Sequence, residues 1–327
     1  MMTGRSCMTY GSPMEDPPTL RAQFVAVIGE ISMTDQGNLV EKAYAKVNLT
    51  LEIIGKRRDG YHDLLSVMQT VNLFDTVTLS KADSIVVECD DSDIDADDNL
   101  ATKAAIELKK RAGVSEGAKI SVAKRIPVSA GLGGGSADAA ATLRGLNYLW
   151  NLGLSDDDLL ETAASVGSDV PFLINGGTAL VGGRGEEVIP IPSARIPRFL
   201  IFKPAVEYQT GSTKTASAFS RVDKSMYTVG NLTHKLAARI RSGGDCPPEL
   251  FFNQFQTIAA DIYPGWALSR ERLHNIGVNE VVLCGAGPSI FAVPPSKEIG
   301  TAWHLLLSRT YGEEAFLVEP VSPGLEG

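Results

Sequence analysis

The sequence predicts an α+β protein built as two domains, and three observations carry that reading. Its 327 residues are enough for two cores. Residues 40 to 54 alternate apolar and polar side chains, the signature of a strand, and strands and helices then follow in mixed order. Pro190, Pro192 and Pro197 interrupt the pattern and mark a boundary. The expected division is an irregular N-terminal extension (1–38), a first domain (39–192) and a second domain (193–327).

In the first strand Ala43, Ala45, Val47, Leu49, Leu51 and Ile53 share one face. Tyr44, Lys46, Asn48, Thr50 and Glu52 share the other. A turn at Lys56 to Gly60 follows, then strands near 66–73 and 75–81. Helical spacing runs from Asn99 to Arg111 through Leu100, Ala104 and Leu108. A strand is expected at Lys119 to Ile126 and a helix from about Ser136 to Trp150. Ser155 with three following aspartates reads as a helix start, with acids at the positive dipole end. That helix ends near Gly167. Asn175-Gly176-Gly177 predicts a hairpin between two short strands, and Gly182-Gly183-Arg184-Gly185 another turn. The second domain reads as a strand at 199–202, helices near 213–222, 228–241 and 266–276, and strands at 280–283 and 290–293. A helix near 297–309 and a strand at 314–318 complete it.

A net charge of −9 argues against nucleic acid or an anionic membrane as partner. The acidic run from Asp90 to Asp98 lacks the glycine and final glutamate of a calcium loop, and reads as solvated. Cys7, Cys89, Cys246 and Cys284 form no C-x-x-C pair, which fits a reducing cytoplasm. The apolar run Phe24 to Ile28 is too short to span a bilayer. A monomer or weak homodimer is expected.

Chemistry concentrates in Pro127, Val128, Ser129, Ala130, Gly131, Leu132, Gly133, Gly134, Gly135, Ser136 and Ala137. Glycines let backbone N–H groups turn inward around an anion, and the following helix offers free N–H groups and a positive dipole end. The alternative is a flexible linker, but linkers rarely join a strand to a helix start. The loop is no Walker A motif, because no Gly-Lys-Ser/Thr closes it. A β-branched residue at Gly134 is expected to crowd the phosphates and to resist positive φ.

This loop resembles the second motif of the GHMP kinases, Pro-x-x-x-Gly-Leu-Gly-Ser-Ser-Ala, with Gly134 and Gly135 in place of the Ser-Ser pair. Its Gly-Leu-Gly-Gly-Gly-Ser form is similar to one branch, whose substrate is a cytidine diphosphate-linked polyol. The resemblance covers about residues 41 to 320. It implies a ribosomal S5-like first domain, a ferredoxin-like second domain, ATP as donor and Mg²⁺ as cofactor. It also implies a small-molecule substrate.

Further segments support it. Gly167-Ser168-Asp169-Val170-Pro171 resembles Gly-Ala-Asp-Val-Pro, where the aspartate is the catalytic base; locally, Asp169 could equally make an Asx-turn. Ala45-Lys46-Val47-Asn48-Leu49 resembles Ala-Lys-x-Asn-Leu, where the lysine pairs with that aspartate and the asparagine touches substrate. A lone strand lysine is otherwise solvated. Asp59-Gly60-Tyr61-His62 resembles Asp-Gly-Tyr-His, so Tyr61 would stack on a pyrimidine and His62 bond its edge. On local sequence alone the pair reads as surface. Thr215 and Phe219 are candidates for the other wall of that pocket. Asn99 and Lys124 match positions near adenine; their alternatives are a helix N-cap and a solvated strand residue. Gly285-Ala286-Gly287-Pro288-Ser289 resembles the third glycine motif, or is simply a hairpin turn.

Competing readings are a mevalonate or homoserine type of GHMP kinase and a non-catalytic S5-like RNA-binding protein. Asp169 argues against the homoserine type, Asp59 to His62 against the mevalonate type, and the acidic balance against RNA.

Overall fold

The structure, a computed structural model, describes residues 32–35, 37–91, 99–206 and 213–322. The readings that fall on 1–31, on most of the acidic run (92–98) and on 207–212 lie outside the described residues.

In chain order the elements are β1 (Ser32–Met33), β2 (Leu39–Lys56), β3 (His62–Ala82), β4 (Ile85–Cys89), α1 (Leu100–Ala112), β5 (Gly117–Ala123), α2 (Gly134–Leu149), α3 (Asp156–Val166), α4 (Val170–Asn175), β6 (Thr178–Gly182) and β7 (Glu187–Ile191). Then follow β8 (Phe199–Lys203), α5 (Thr213–Ser220), α6 (Asn231–Arg241), β9 (Phe252–Asn253), α7 (Ala259–Ile262), α8 (Trp266–Asn275), β10 (Val282–Leu283), β11 (Ile290–Ala292), α9 (Lys297–Leu305) and β12 (Glu314–Val318).

The first sheet runs β1-β2-β3-β5-β4, with β6 and β7 joined to β3 and β9 joined to β2. The second is antiparallel, in the order β10-β11-β8-β12. The apolar face of β2 lies in the cores as its period predicts, from Ala43 through Ile53. Its polar face is buried too: Lys46, Asn48, Thr50 and Glu52 are all covered. Glu52 is satisfied by α6, whose Thr233 N–H donates to its Oε2 at 2.8 Å.

Three expectations are corrected. The two strands expected at 66–73 and 75–81 are one, β3, because nothing at Phe74-Asp75 breaks the chain. Asp75 is buried there, and its Oδ1 accepts the N–H groups of Arg125 (2.5 Å) and Ile126 (2.7 Å). The hairpin expected around Asn175 is instead helix α4 followed by β6. Pro171 sits in the first turn of α4, where its missing N–H costs nothing, and burial of residues 170–174 overrides the extended bias on Val170. Gly176 and Gly177, at φ +60° and +77°, end that helix rather than turn a hairpin. Finally, Ser32–Met33, inside the segment expected to be irregular, pairs with β2. Strand β4, unforeseen in the sequence, pairs parallel with β5.

One buried ion pair fixes α4. Arg144 of α2 meets Glu41 of β2 at 3.0 Å and donates to the carbonyls of Leu173 (2.9 Å) and Ile174 (3.1 Å). It satisfies carbonyls at the C-terminal end of α4, which no intrahelical N–H can reach, and so locks in place the helix that Asp169 precedes.

Candidate active site

A cleft of about 1170 Å³ lies between the two sheets' loops. Cavities for one drug-sized ligand run to roughly 300–1,000 Å³, so this one exceeds that range.

At its centre stands Lys46, 3% exposed. The ladder of β2 shifts register on either side of it, between Tyr44 and Lys46 and between Asn48 and Thr50. Such bulges free backbone groups from the ladder, and the Lys46 N–H bonds Leu132 O of the glycine loop at 2.9 Å. The Lys46 ammonium donates to Asn48 Oδ1 at 2.8 Å and lies 3.3 Å from Asp169 Oδ2. Asn48 in turn donates to Ser66 Oγ at 2.9 Å, and Ser66 Oγ to Thr50 O at 2.6 Å. Lys46 is therefore not solvated but aimed. Asp169 precedes α4 and makes no capping bond with its side chain, so the Asx-turn alternative is not adopted. Its carboxylate, about a third exposed, faces Lys46 and the cleft.

The glycine loop crosses above this pair. Positive φ falls on Ser129 (+53°), Gly131 (+85°) and Gly133 (+73°), and not on Gly134, which opens α2. The expectation for Gly134 is corrected accordingly: the left-handed glycines are Gly133 and Gly131, one and three residues earlier, where the loop reverses. A Cβ on Gly131 would meet Cys284 O at 2.0 Å, and one on Gly133 would meet Lys46 Cγ at 3.0 Å. These glycines allow backbone and Lys46 to approach closely. Helix α2 begins with its first internal bond from Ala137 N to Gly133 O (2.8 Å), and Gly133 supplies no side-chain cap. Gly134, Gly135 and Ser136 line the cleft with first-turn N–H groups that lack intrahelical partners. Pro127 to Gly133 line it as well. Ala137 does not; it is buried in the core behind the loop.

The turn at 285–289 packs on this loop. Ser289 N donates to Ala130 O at 3.2 Å, and Asn253 Nδ2 holds Gly285 O at 2.7 Å. Lys214 of α5 donates to Ser129 O at 2.5 Å and to Gly287 O, bridging the two glycine segments. Burial and the charge of Lys46 push its pKa down to about 7.

Asn99 is the N-cap of α1, its Oδ1 accepting from Ala101 N at 2.9 Å, and it also lines the cleft. Lys124 is not solvated. It lies 2.5 Å from Asp75 and 2.7 Å from Asp138, beneath the glycine loop. Burial works against its charge, but Asp138 and Asp75 outweigh it and raise its pKa. Asp138 itself is pushed up to about 7 by burial.

At the other end lie Tyr61 and His62. Tyr61 is 56% exposed. His62 is buried, its pKa lowered first by burial and then by Lys56, so it is neutral at pH 7. Its Nε2 has no hydrogen-bond partner among the described residues. A buried ring nitrogen without a partner costs free energy unless a ligand supplies one. Phe219 stacks on His62 at 5.3 Å and 20° and meets Phe255 edge-on at 4.8 Å, and all three rings line the cleft. Thr215 is exposed and lines the same cleft.

Sequence reasoning missed Asp75, Asp138, Lys214 and Arg184, which also line or support the site. Asp138 carried a signal, a lone acid in an alanine-rich helix; so did Arg184, set among three glycines.

A strand-borne lysine paired with an aspartate under a glycine loop is the arrangement of a small-molecule kinase. The family profile described as GHMP kinases N terminal domain matches residues 99–177, which hold both the glycine loop and Asp169. The chain is 36% identical over 282 residues to the 4-diphosphocytidyl-2-C-methyl-D-erythritol kinase of Dehalococcoides mccartyi, covering 86% of this chain and 98% of the relative. It is 40% identical over 262 residues to the enzyme of that name from Caldicellulosiruptor saccharolyticus (79% and 89% covered), and 41% over 255 residues to that from Shouchella clausii (77% and 84%). Among solved structures, a crystal structure of 4-(cytidine 5'-diphospho)-2C-methyl-D-erythritol kinase superposes with a TM-score of 0.71 at 26% identity, covering 86% of this chain and 98% of that one. Homoserine kinase from Cytophaga hutchinsonii shares the fold, with a TM-score of 0.67 at 20% identity over 89% and 96% of the two chains. The chain belongs to the 4-diphosphocytidyl-2-C-methyl-D-erythritol kinase family of the GHMP kinases, and the expected α+β GHMP fold and small-molecule kinase activity follow from that membership.

Proposed function

We propose that this chain transfers the γ-phosphoryl group of ATP to the 2-hydroxyl of 4-diphosphocytidyl-2-C-methyl-D-erythritol, on the non-mevalonate route to isoprenoid precursors. One observation carries the reading: the Lys46–Asp169 pair stands in one cleft between a glycine loop at one end and, at the other, Tyr61 with a His62 Nε2 that finds no partner among the described residues.

The residues divide the work. The N–H groups of Gly134, Gly135 and Ser136 hold phosphate, while Asn99 and Lys124 flank the nucleotide. Lys46 polarises the attacking hydroxyl, and Asp169 orients that hydroxyl and accepts its proton. Little base assistance is needed in a loose transition state, so positioning and charge dominate. Asn48 holds the Lys46 ammonium and touches substrate. Tyr61 stacks on the cytosine ring, neutral His62 bonds its polar edge, and Phe219 with Thr215 closes the far wall.

Mg²⁺ suits this donor set as an ion held mainly by ATP oxygens and water. Among the described residues no three acids, histidines or cysteines converge to cage a metal. The Ser136 hydroxyl and Asp169 carboxylate are oxygen groups that line the same cleft and could complete its shell. When bound it would neutralise charge on the transferring phosphoryl.

An ATP-using kinase of this kind works in the cytoplasm, as a monomer or weak homodimer. None of the helices described is long and apolar enough to cross a membrane. The domain division at 192/193 is supported by the two sheets, although β9 and α6 pack back on the first.

The test is base discrimination. A pocket that bonds a base edge rejects the wrong donor pattern by roughly 10²-fold or more. The uridine analogue should be that much poorer than the cytidine substrate, and His62→Ala should shrink the difference. Equal use of both by the wild type would remove cytosine recognition.

A further inference from the structure

Among the described residues, Lys46, Lys56, Lys124, Arg184 and Lys214 are the cations that line the cleft. Three are held by the chain. Lys46 faces Asn48 and Asp169, Lys124 faces Asp75 and Asp138, and Lys214 donates to the carbonyls of Ser129 and Gly287. Lys56, opposite His62 in the β2–β3 register, and Arg184, paired through its Nε alone with Glu186, lie at the Tyr61–His62 end.

Arg184 occupies the tight turn between β6 and β7, where Gly183 (φ +64°) and Gly185 (φ +123°) take conformations that L side chains resist. Gly183 O accepts from Leu64 N at 2.7 Å, which ties the turn to the strand that carries His62. On the other side Gly185 abuts Ser168, the neighbour of Asp169: a Cβ there would meet Ser168 Cβ and O at 3.2 Å. The turn therefore touches the base end and the Asp169 end of the cleft at once.

The Arg184 side chain is already oriented. Its guanidinium lies 5.0 Å over the Tyr61 ring, and its Nε pairs with Glu186 Oε1 at 3.3 Å. One edge of the fork is thus engaged, while its two terminal nitrogens make no hydrogen bond among the described residues. A fork held by stacking loses little freedom on binding, and two N–H groups side by side match a phosphate's oxygens. Lys56 is an exposed ammonium on a flexible stem.

An alcohol linked to a nucleoside through a diphosphate, with its base on Tyr61 and His62 and its hydroxyl at Asp169, must carry two phosphate charges past this turn. We propose that Arg184 binds that bridging diphosphate, and so selects nucleoside diphosphate-linked alcohols over free ones. The inference rests on the reading of the cleft given above, and it adds the residue that reads the linker.

The experiment measures binding of cytidine and of CDP to the full chain by calorimetry, with steady-state kinetics on the cytidine diphosphate-linked substrate. The wild type should bind CDP more tightly than cytidine. Arg184→Gln should lose about 10-fold or more of the CDP affinity while cytidine affinity, which also reports that the variant is folded, stays within about 2-fold. Arg184→Lys, with charge but no fork, should fall between. KM for the substrate should rise with kcat largely kept, because the linker is bound alike in ground and transition states. An unchanged CDP-to-cytidine ratio in Arg184→Gln overturns the proposal. So does equal loss on both ligands, which would make Arg184 a prop for Tyr61, or a ratio that collapses only in Lys56→Gln. A wild type that binds neither ligand and does not use the substrate overturns the cytidine reading itself, and is told apart from the Arg184 failures by the wild-type measurement alone.

Discussion

The Lys46 ammonium, rooted in a bulge of the first long strand, sits 3.3 Å from the Asp169 carboxylate at the head of a six-residue helix. Neither is positioned alone: Asn48 fixes the lysine, and the glycine loop leans on its stem. Their chemistry is therefore expected to act as a unit. Asp169→Asn and Lys46→Ala should each cut turnover by about 10²-fold or more while leaving ATP binding nearly intact. The double variant should be far less damaged than the product of the singles, as for groups that work together. Strictly multiplicative losses in kcat would count against the pair.

The glycine loop predicts a contrast between neighbours. At Gly131 an added Cβ meets Cys284 O at 2.0 Å and needs φ +85°. Gly131→Ala should cost about 1–3 kcal/mol in backbone strain alone and weaken ATP binding as the loop shifts. Gly135 lies in α2, its nearest Cβ neighbour Leu100 Cδ1 at 3.8 Å. Gly135→Ala should leave the protein as stable or more so, by up to about 1 kcal/mol, since alanine is the better helix former. Denaturant melts of both variants check this; equal stability would show the Gly131 contact to be soft.

Arg144 offers a test of the scaffold. Its removal would strand the buried Glu41 charge and the carbonyls of Leu173 and Ile174. Breaking such a pair from one side costs about 3–5 kcal/mol, so Arg144→Leu should unfold at markedly lower denaturant. Turnover should fall as well, because α4 sets the place of Asp169. A loss below about 1 kcal/mol, the size typical of exposed pairs, would mean that the helix is held by apolar packing instead.

How much of this was legible depends on how local the cause was. The period-2 pattern of β2 needs only adjacent residues, and the Ser155–Asp158 capping box declares α3 within four positions. The glycine loop and Asp169 were readable because their motifs are contiguous. The burial of Lys46, Asn48 and Glu52 was not, because what covers a polar strand face arrives from Leu132, Asp169 and Thr233. Lys124 matched a position near adenine, with a solvated strand residue as the alternative, and its ion pairs were not legible for the same reason: Asp75 and Asp138 come from other elements. At Asn175 to Gly177 local turn chemistry pointed to a hairpin, and the apolar content of Val170 to Ile174 made a buried helix instead.

The central claim is the identity of the phosphoryl acceptor. ADP release should be followed with ATP and a panel of alcohols: 4-diphosphocytidyl-2-C-methyl-D-erythritol, its free methylerythritol phosphate, mevalonate and homoserine. The account predicts turnover on the cytidine-linked alcohol and little on the others, because only that substrate fills both the Lys46–Asp169 centre and the Tyr61–His62 end. Turnover on mevalonate or homoserine with none on the cytidine-linked alcohol would contradict it.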